Sequence, residues 1–218
     1  MLLNLVTPLH ESTKRDYMAR LMDDKIACMK KAREFERDYW DGERRFGYGG
    51  YKYDGRWNKV ACELIAEYCL TNSSSVLDIG CGKGHLLYEM QKELPRMKLY
   101  GMDRSLYALD HMPPDLKAET QYGKCQFGLP YADKQFDLVV SLGTLHNLTL
   151  SELWKTIPEL TRVAEHGYIM VESFRDEAEW FNLCAWCLTA ESLMRPEDWC
   201  FLYDKCGYKG DYEFIYFT

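Results

Sequence analysis

No apolar run in this chain reaches the roughly 20 residues a helix needs to cross a bilayer. Met1 to His10 has neither the basic start nor the small-residue cleavage site of a secretory leader. Both absences predict a cytoplasmic protein. Basic charge is short as well: 27 Lys and Arg stand against 34 Asp and Glu, for a net charge of −7. That balance disfavours a nucleic-acid partner, whose binding draws on clustered cations neutralising phosphates. The densest basic stretches, 30–37 and 43–56, are interleaved with acids or glycine. Cysteine spacing of the metal-binding kind is nearly missing too. Among nine cysteines only Cys184 and Cys187 are spaced as a ligand pair, and they sit in NLCAWCL, which reads as a buried helix face, so no metal is expected. With no internal repeat, low-complexity tract or linker, the chain reads as one domain over 57–218 preceded by an extension over 1–56.

What is present is concentrated in VLDIGCGKG, residues 76–84. Val76, Leu77 and Ile79 favour a strand, and Gly80, Gly82 and Gly84 let the backbone turn sharply and approach a ligand with no Cβ in the way. Leu87, Met90 and Leu94 then recur at helical spacing until Pro95. Strand, glycine loop and helix in this order also describe the dinucleotide fingerprint, which would need glycine at position 85; His85 stands there. A carboxylate beside the loop, Asp78, suits a cationic ammonium group better than a pyrophosphate. The pattern favours a nucleoside that carries an amino acid.

Two more landmarks join the loop. A second strand, Lys98 to Met102, ends in Asp103, where a carboxylate can accept ribose hydroxyls, and FDLVVS, Phe136 to Ser141, is an apolar strand after a turn. With these, residues 55 to 217 resemble the class I methyltransferases that use S-adenosylmethionine and release S-adenosylhomocysteine. The resemblance implies a Rossmann-like α/β fold, a doubly wound, mostly parallel sheet of the seven-stranded type. It implies cofactor contacts at Asp78, Gly80, Cys81, Gly82, Gly84, Asp103 and Arg104, and at Ser141 and Leu142 after the fourth strand. In similar enzymes an acid or amide after strand three receives the adenine amine. Here Lys124 and Cys125 hold that place, so the base would be read by the backbone of Cys125 and Gln126. The family's sheet usually closes with an antiparallel hairpin, and only 212–217 is clear as its strand; the other would come from 189–194 or be missing.

Elsewhere the periodicity predicts a long helix from about Lys14 to Tyr39, carrying Met18, Leu21, Met22, Ile26 and Met29, able to cover the cofactor cleft. RRFGYGGYKYDGRW, Arg44 to Trp57, reads as a lid bearing Tyr48, Tyr51, Tyr53 and Arg56, or else as a surface turn with packing tyrosines. Thr149 and Glu152 have capping-box spacing ahead of a helix that Pro158 should bend and Gly167 should close, with Tyr168 to Ser173 as strand five. His146 in TLHNL is the candidate general base, or else a hydrogen-bonding contact, and Glu172 and Arg175 are candidate substrate contacts. The composition favours a small polar metabolite as acceptor. The Tyr- and Gly-rich segment resembles that of bacterial methyltransferases found with surface-polysaccharide pathways, which implies a sugar or a phosphorylated or amino precursor of one. A protein or tRNA acceptor, or a non-catalytic partner subunit, are the alternatives. Monomer and homodimer are both compatible with the sequence.

Overall fold

The computed structural model describes residues 1–218. Its centre is a six-stranded sheet, β1 (Ser75–Ile79), β2 (Lys98–Asp103), β3 (Ala118–Tyr122), β4 (Phe136–Leu142), β5 (Ala164–Glu172) and β6 (Asp211–Ile215), in the order β3-β2-β1-β4-β5-β6. Every pairing is parallel. A parallel sheet must be covered on both faces, and alternation along β4 shows how the sequence does it. Leu138 and Val140 enter one core with Val60 and Leu64 of α5 (Asn58–Glu67) and Leu87 and Met90 of α6 (His85–Glu93). Val139 enters the other, with Leu153, Ile157 and Leu160 of α8 (Leu150–Val163) and Trp199 and Leu202 of α10 (Pro196–Lys205). Strand order reverses between β1 and β4, so the loops leaving those two strands diverge and open a crevice. Two further helices, the short α7 (Leu106–Asp110) and α9 (Glu177–Trp186), follow β2 and β5. No helix is long and apolar enough to cross a membrane.

The sheet lacks the seventh strand. Residues 189–194 form no strand; Glu191 and Ser192 instead donate their amides to His146 O, 3.0 Å each, and so brace the loop after β4. β6 runs parallel to β5, and its free edge meets the start of the chain: Leu2 bridges Tyr212, and Tyr212 N donates to Met1 O at 3.0 Å. That contact blunts an otherwise open edge. Buried Glu213 then collects the amides of Leu5, Val6 and Thr7 at 2.5–3.2 Å, together with the hydroxyl of Tyr168, and so docks α1 (Thr7–Glu11) on the sheet.

The expected long helix over 14–39 is three short ones, α2 (Tyr17–Met22), α3 (Lys25–Ala32) and α4 (Arg37–Asp41). Asp16 and Asp24 accept the amides of Ala19 and Ala27, and cap formation by aspartate starts a new helix each time. Asp24 and Phe35 take positive φ at the breaks, and Met18, Met22 and Ile26 are exposed. The capping box at Thr149 and Glu152 is formed and α8 continues through Pro158. Strand five begins at Ala164 directly from α8, earlier than expected; Gly167 lies within it, where a Cβ would meet the Tyr208 hydroxyl at 2.8 Å.

Candidate active site

Backbone builds one side of the crevice. Gly80 takes φ +82°, which L side chains rarely adopt, and donates its amide to Met102 O at 2.7 Å. A Cβ on Gly80 would lie 1.9 Å from Thr144 Oγ1, and one on Gly82 2.6 Å from the Trp40 ring. Asp103 at the end of β2 accepts Gly82 N and Ser105 N, both at 2.8 Å. Lys83 turns away from the crevice to Asp41 at 2.5 Å and, with Tyr107 and the Tyr51 amide on the same carboxylate, fastens α4 to the loop.

Three compartments make up the crevice, and the first two border this loop. The first, about 90 Å³, runs from Gly80 past Asp103 and Arg104 to Lys124, Cys125 and Gln126. The second, about 60 Å³, lies among Asp78, Cys81, Gly82 and His85. The third, about 370 Å³, holds His146 and Glu172 and is walled by the N-terminal extension. Tyr48 and Leu142 border all three. The Tyr48 ring stacks on Trp40, centroids 5.3 Å apart, and Tyr51 stacks on His85 at 4.6 Å, so aromatic residues of the extension roof the glycine loop.

The charges have an uneven arrangement. Asp78 is buried with no cation beside it; desolvation, and then the neighbouring Asp103 carboxylate, push its pKa up to about 8. Burial raises Asp103 as well, against the pull of its two amide bonds. Asn147 donates Nδ2 to Gly143 O at 3.2 Å and leaves Oδ1 buried on the first compartment without a partner. Two desolvated carboxylates, an orphaned amide oxygen and a cradle that a Cβ would fill suit a ligand rich in donors: ribose hydroxyls, an amine and an ammonium group. S-adenosylmethionine has all three.

In the third compartment, Glu172 N donates to His146 Nδ1 at 3.3 Å, which leaves the imidazole proton on Nε2, 3.6 Å from Glu172 Oε2. Burial lowers the His146 pKa, so the ring is neutral near pH 7. Glu172 Oε2 is buried and makes no hydrogen bond.

Several residues singled out in the sequence lie elsewhere. Gly84 starts α6 in the left-handed region, against Leu116, and borders none of the three compartments. Ser141 faces into the sheet and donates to Ile79 O at 3.3 Å. Tyr53 is drawn to the outer face of α6 by Glu89 and by Lys92, whose Nζ is 2.9 Å from its hydroxyl. Arg175 is held on α9 by Glu179 at 3.0 Å and lies over the Tyr216 ring. Arg56 reaches the third compartment but already forks onto Asp54. Sequence reading missed Phe35, Tyr39 and Trp40 on the cofactor side; the aromatic pair just ahead of the Gly/Tyr segment was the available signal. It also missed Asn147, Thr144 and the arginines of the extension.

Residues 76–167 match the family described as a methyltransferase domain, from β1 into β5. The chain is similar at low identity to three solved structures of comparable architecture. One is the YcgJ protein of Bacillus subtilis, with TM-score 0.54 and 18% identity over 67% of this chain and 66% of that one. Another is a chain from the complex between the Haloferax volcanii Trm112 methyltransferase activator and a methyltransferase, with 0.56 and 16% over 67% and 66%. The third is a SAM-dependent methyltransferase from Archaeoglobus fulgidus, with 0.51 and 19% over 69% and 68%. The chain thus spans about two thirds of the length of these proteins. No curated protein matches it. These likenesses establish a Rossmann-like α/β fold, with six parallel strands in this chain.

Proposed function

We propose that the protein transfers a methyl group from S-adenosylmethionine to a small polar metabolite held in the third compartment. The observation that carries this reading is the junction at Leu142 and Tyr48, where a donor-seeking cleft with two buried carboxylates opens into a separate chamber with an unpartnered carboxylate oxygen. Asp103 would hold the ribose hydroxyls, Asp78 the ammonium group, and the backbone of Cys125 and Gln126 the adenine edge. When bound, S-adenosylmethionine supplies an electrophilic methyl on a sulfonium. The chain's own residues align the acceptor and exclude water, and alignment alone lowers such barriers by roughly 7–11 kcal/mol. Trp40, Tyr48 and Tyr51 form the lid that does so. A chamber of about 370 Å³ walled by residues from both ends of the chain favours a metabolite, such as a sugar or sugar precursor of the kind surface-polysaccharide pathways carry, over a macromolecule.

Glu172 is the better proton acceptor for a hydroxyl nucleophile. His146 carries its proton on the nitrogen that faces Glu172, so its part is to position that carboxylate. Glu172→Gln should lower turnover roughly 10²- to 10⁴-fold with S-adenosylhomocysteine affinity unchanged. The pH–rate profile should show no step near the ordinary histidine value of about 6.5; a step there that vanishes in His146→Gln would return the base role to the imidazole. The reading as a whole is tested by incubating the protein with methyl-labelled S-adenosylmethionine and fractionated cell extract. Label in small metabolites supports it; label in protein or tRNA, or none at all, assigns the site to the alternatives.

A further inference from the structure

Three guanidinium groups surround one indole on the wall of the third compartment. Arg15, Arg20 and Arg44 place Cζ at 5.6, 4.8 and 5.0 Å from the centre of the Trp186 ring. None has a carboxylate partner, a state shared with Arg37, Arg96 and Arg104, whereas Arg33, Arg45, Arg56, Arg162, Arg175 and Arg195 each form an ion pair. Their bonds go to carbonyls instead, Arg15 to His10 and Thr13, Arg20 to Trp186, Arg44 and Arg45, and Arg44 to Gly47, with one further bond from Arg15 to His10 Nδ1 at 3.1 Å. Arg15 Nε is buried with no partner at all. Burial makes each of the three a weaker base, and Arg44 adds repulsion on the other two.

In a chain of net charge −7, gathering three partly desolvated cations without a bonded counter-ion is unfavourable; Glu172 attracts Arg15 alone from within the chamber, and stacking on an indole offsets only part of the cost. The one carboxylate lining the chamber is Glu172, beside His146. A planar guanidinium fork is shaped for carboxylate or phosphate oxygens, and a cluster of forks binds them through charge-assisted hydrogen bonds.

We propose that the methyl acceptor is an anion, a carboxylate or a phosphate ester, whose charged group is held by Arg15, Arg20 and Arg44 above Trp186 while its nucleophile faces Glu172. The proposal rests on the methyl-transfer reading for the identity of the ligand as acceptor. Its electrostatic content can be measured without turnover.

The test is calorimetric titration of the protein saturated with S-adenosylhomocysteine, using glucose 6-phosphate, glucuronate and glucose as probes. At least one charged probe should bind about tenfold or more tighter than glucose, and which one does so separates a phosphate site from a carboxylate site. Arg15→Met and Arg44→Met should each weaken the charged probe roughly 10- to 100-fold, the usual range for losing a charge-assisted bond, and leave S-adenosylhomocysteine affinity unchanged. Glucose binding as well as both charged probes, no binding of either charged probe at millimolar concentration, or Met variants equal to wild type would each overturn the proposal. If a Met variant fails to fold, the comparison of charged and neutral probes on the unmodified protein decides alone. Failure of S-adenosylhomocysteine itself to bind would instead overturn the cofactor reading.

Discussion

The two halves of the crevice are made differently. On the cofactor side the shape comes from backbone: Gly80 and Gly82 approach Thr144 and Trp40 too closely for any side chain, and Asp103 is braced by amides of the same loops. On the acceptor side the shape comes from side chains brought together from both ends of the chain. Arg20 of α2 bonds Trp186 of α9 across 166 positions, and Glu213 of β6 gathers Leu5, Val6 and Thr7 across more than 200. A half built from contiguous backbone is rigid and chemically narrow. A half built from a docked extension can change its chemistry with the extension, which reaches the cofactor side only through the aromatic roof around Trp40 and Tyr48.

The sharpest way to break this division is to fill the cradle. Gly80→Val puts a branched side chain where a Cβ alone is already 1.9 Å from Thr144 Oγ1, in a backbone conformation unfavourable for any L residue. S-adenosylhomocysteine affinity measured by calorimetry should fall by more than about 100-fold, while limited proteolysis shows residues 1–56 still docked. The converse variant is Glu213→Ala, which strips the acceptor from three amides and the hydroxyls of Thr7 and Tyr168. It should weaken docking of the first helix by about 3–5 kcal/mol, read as faster amide exchange at Leu5 to Thr7, and change cofactor affinity only severalfold. If both variants lost cofactor and docking together, the halves would be one cooperative unit and the division would fail.

The same division explains what could be read in the sequence. The strand, glycine loop and Asp103 lie within 28 consecutive residues, so their order alone carries the cofactor cleft, and α5, α6, α8 and β4 follow from local periodicity. The extension misled because Met18, Met22 and Ile26 repeat at helical spacing yet face solvent, while Asp16 and Asp24 terminate and restart the helix. Arg15, Arg20 and Arg44 carry no local signal of a site; only the fold brings them to Trp186. Tyr53 and Arg175 looked available for substrate because their partners Glu89 and Glu179 lie on helix faces whose direction a sequence does not reveal.

A subtler probe of the cofactor half is its proton. Asp78 has a pKa of about 8 in the folded protein, above its ordinary value of 3.8, so the folded state holds this proton more tightly than the unfolded chain does. By linkage, its contribution to stability is full at low pH and is lost as the pH rises from about 4 towards 8. An ammonium group placed beside it reverses the preference and favours the carboxylate. At pH 7, S-adenosylhomocysteine binding should therefore release close to one proton, read as a dependence of the binding heat on buffer ionisation enthalpy, and Asp78→Asn should abolish the release. Proton uptake on binding would place the ammonium elsewhere.

The smallest effect is expected where the sequence most invited a large one. Arg56 stands at the end of the Gly/Tyr segment and reaches the acceptor chamber, yet its guanidinium already donates to both Asp54 oxygens at 2.8–2.9 Å, and about half of each side chain is exposed. Exposed pairs of this kind contribute about 0–1 kcal/mol. Its charge is also largely cancelled before any acceptor arrives. Arg56→Ala should shift the melting temperature little and weaken a charged acceptor less than about fivefold, against the 10- to 100-fold expected at Arg15. Arg56 and Arg15 differ in partners more than in position, since both border the same chamber. Measuring the two variants with one probe therefore isolates the value of an uncompensated cation. Equal losses would move the anion-binding centre to the lid side of the chamber and make the Asp54 pair a gate that opens when the acceptor enters.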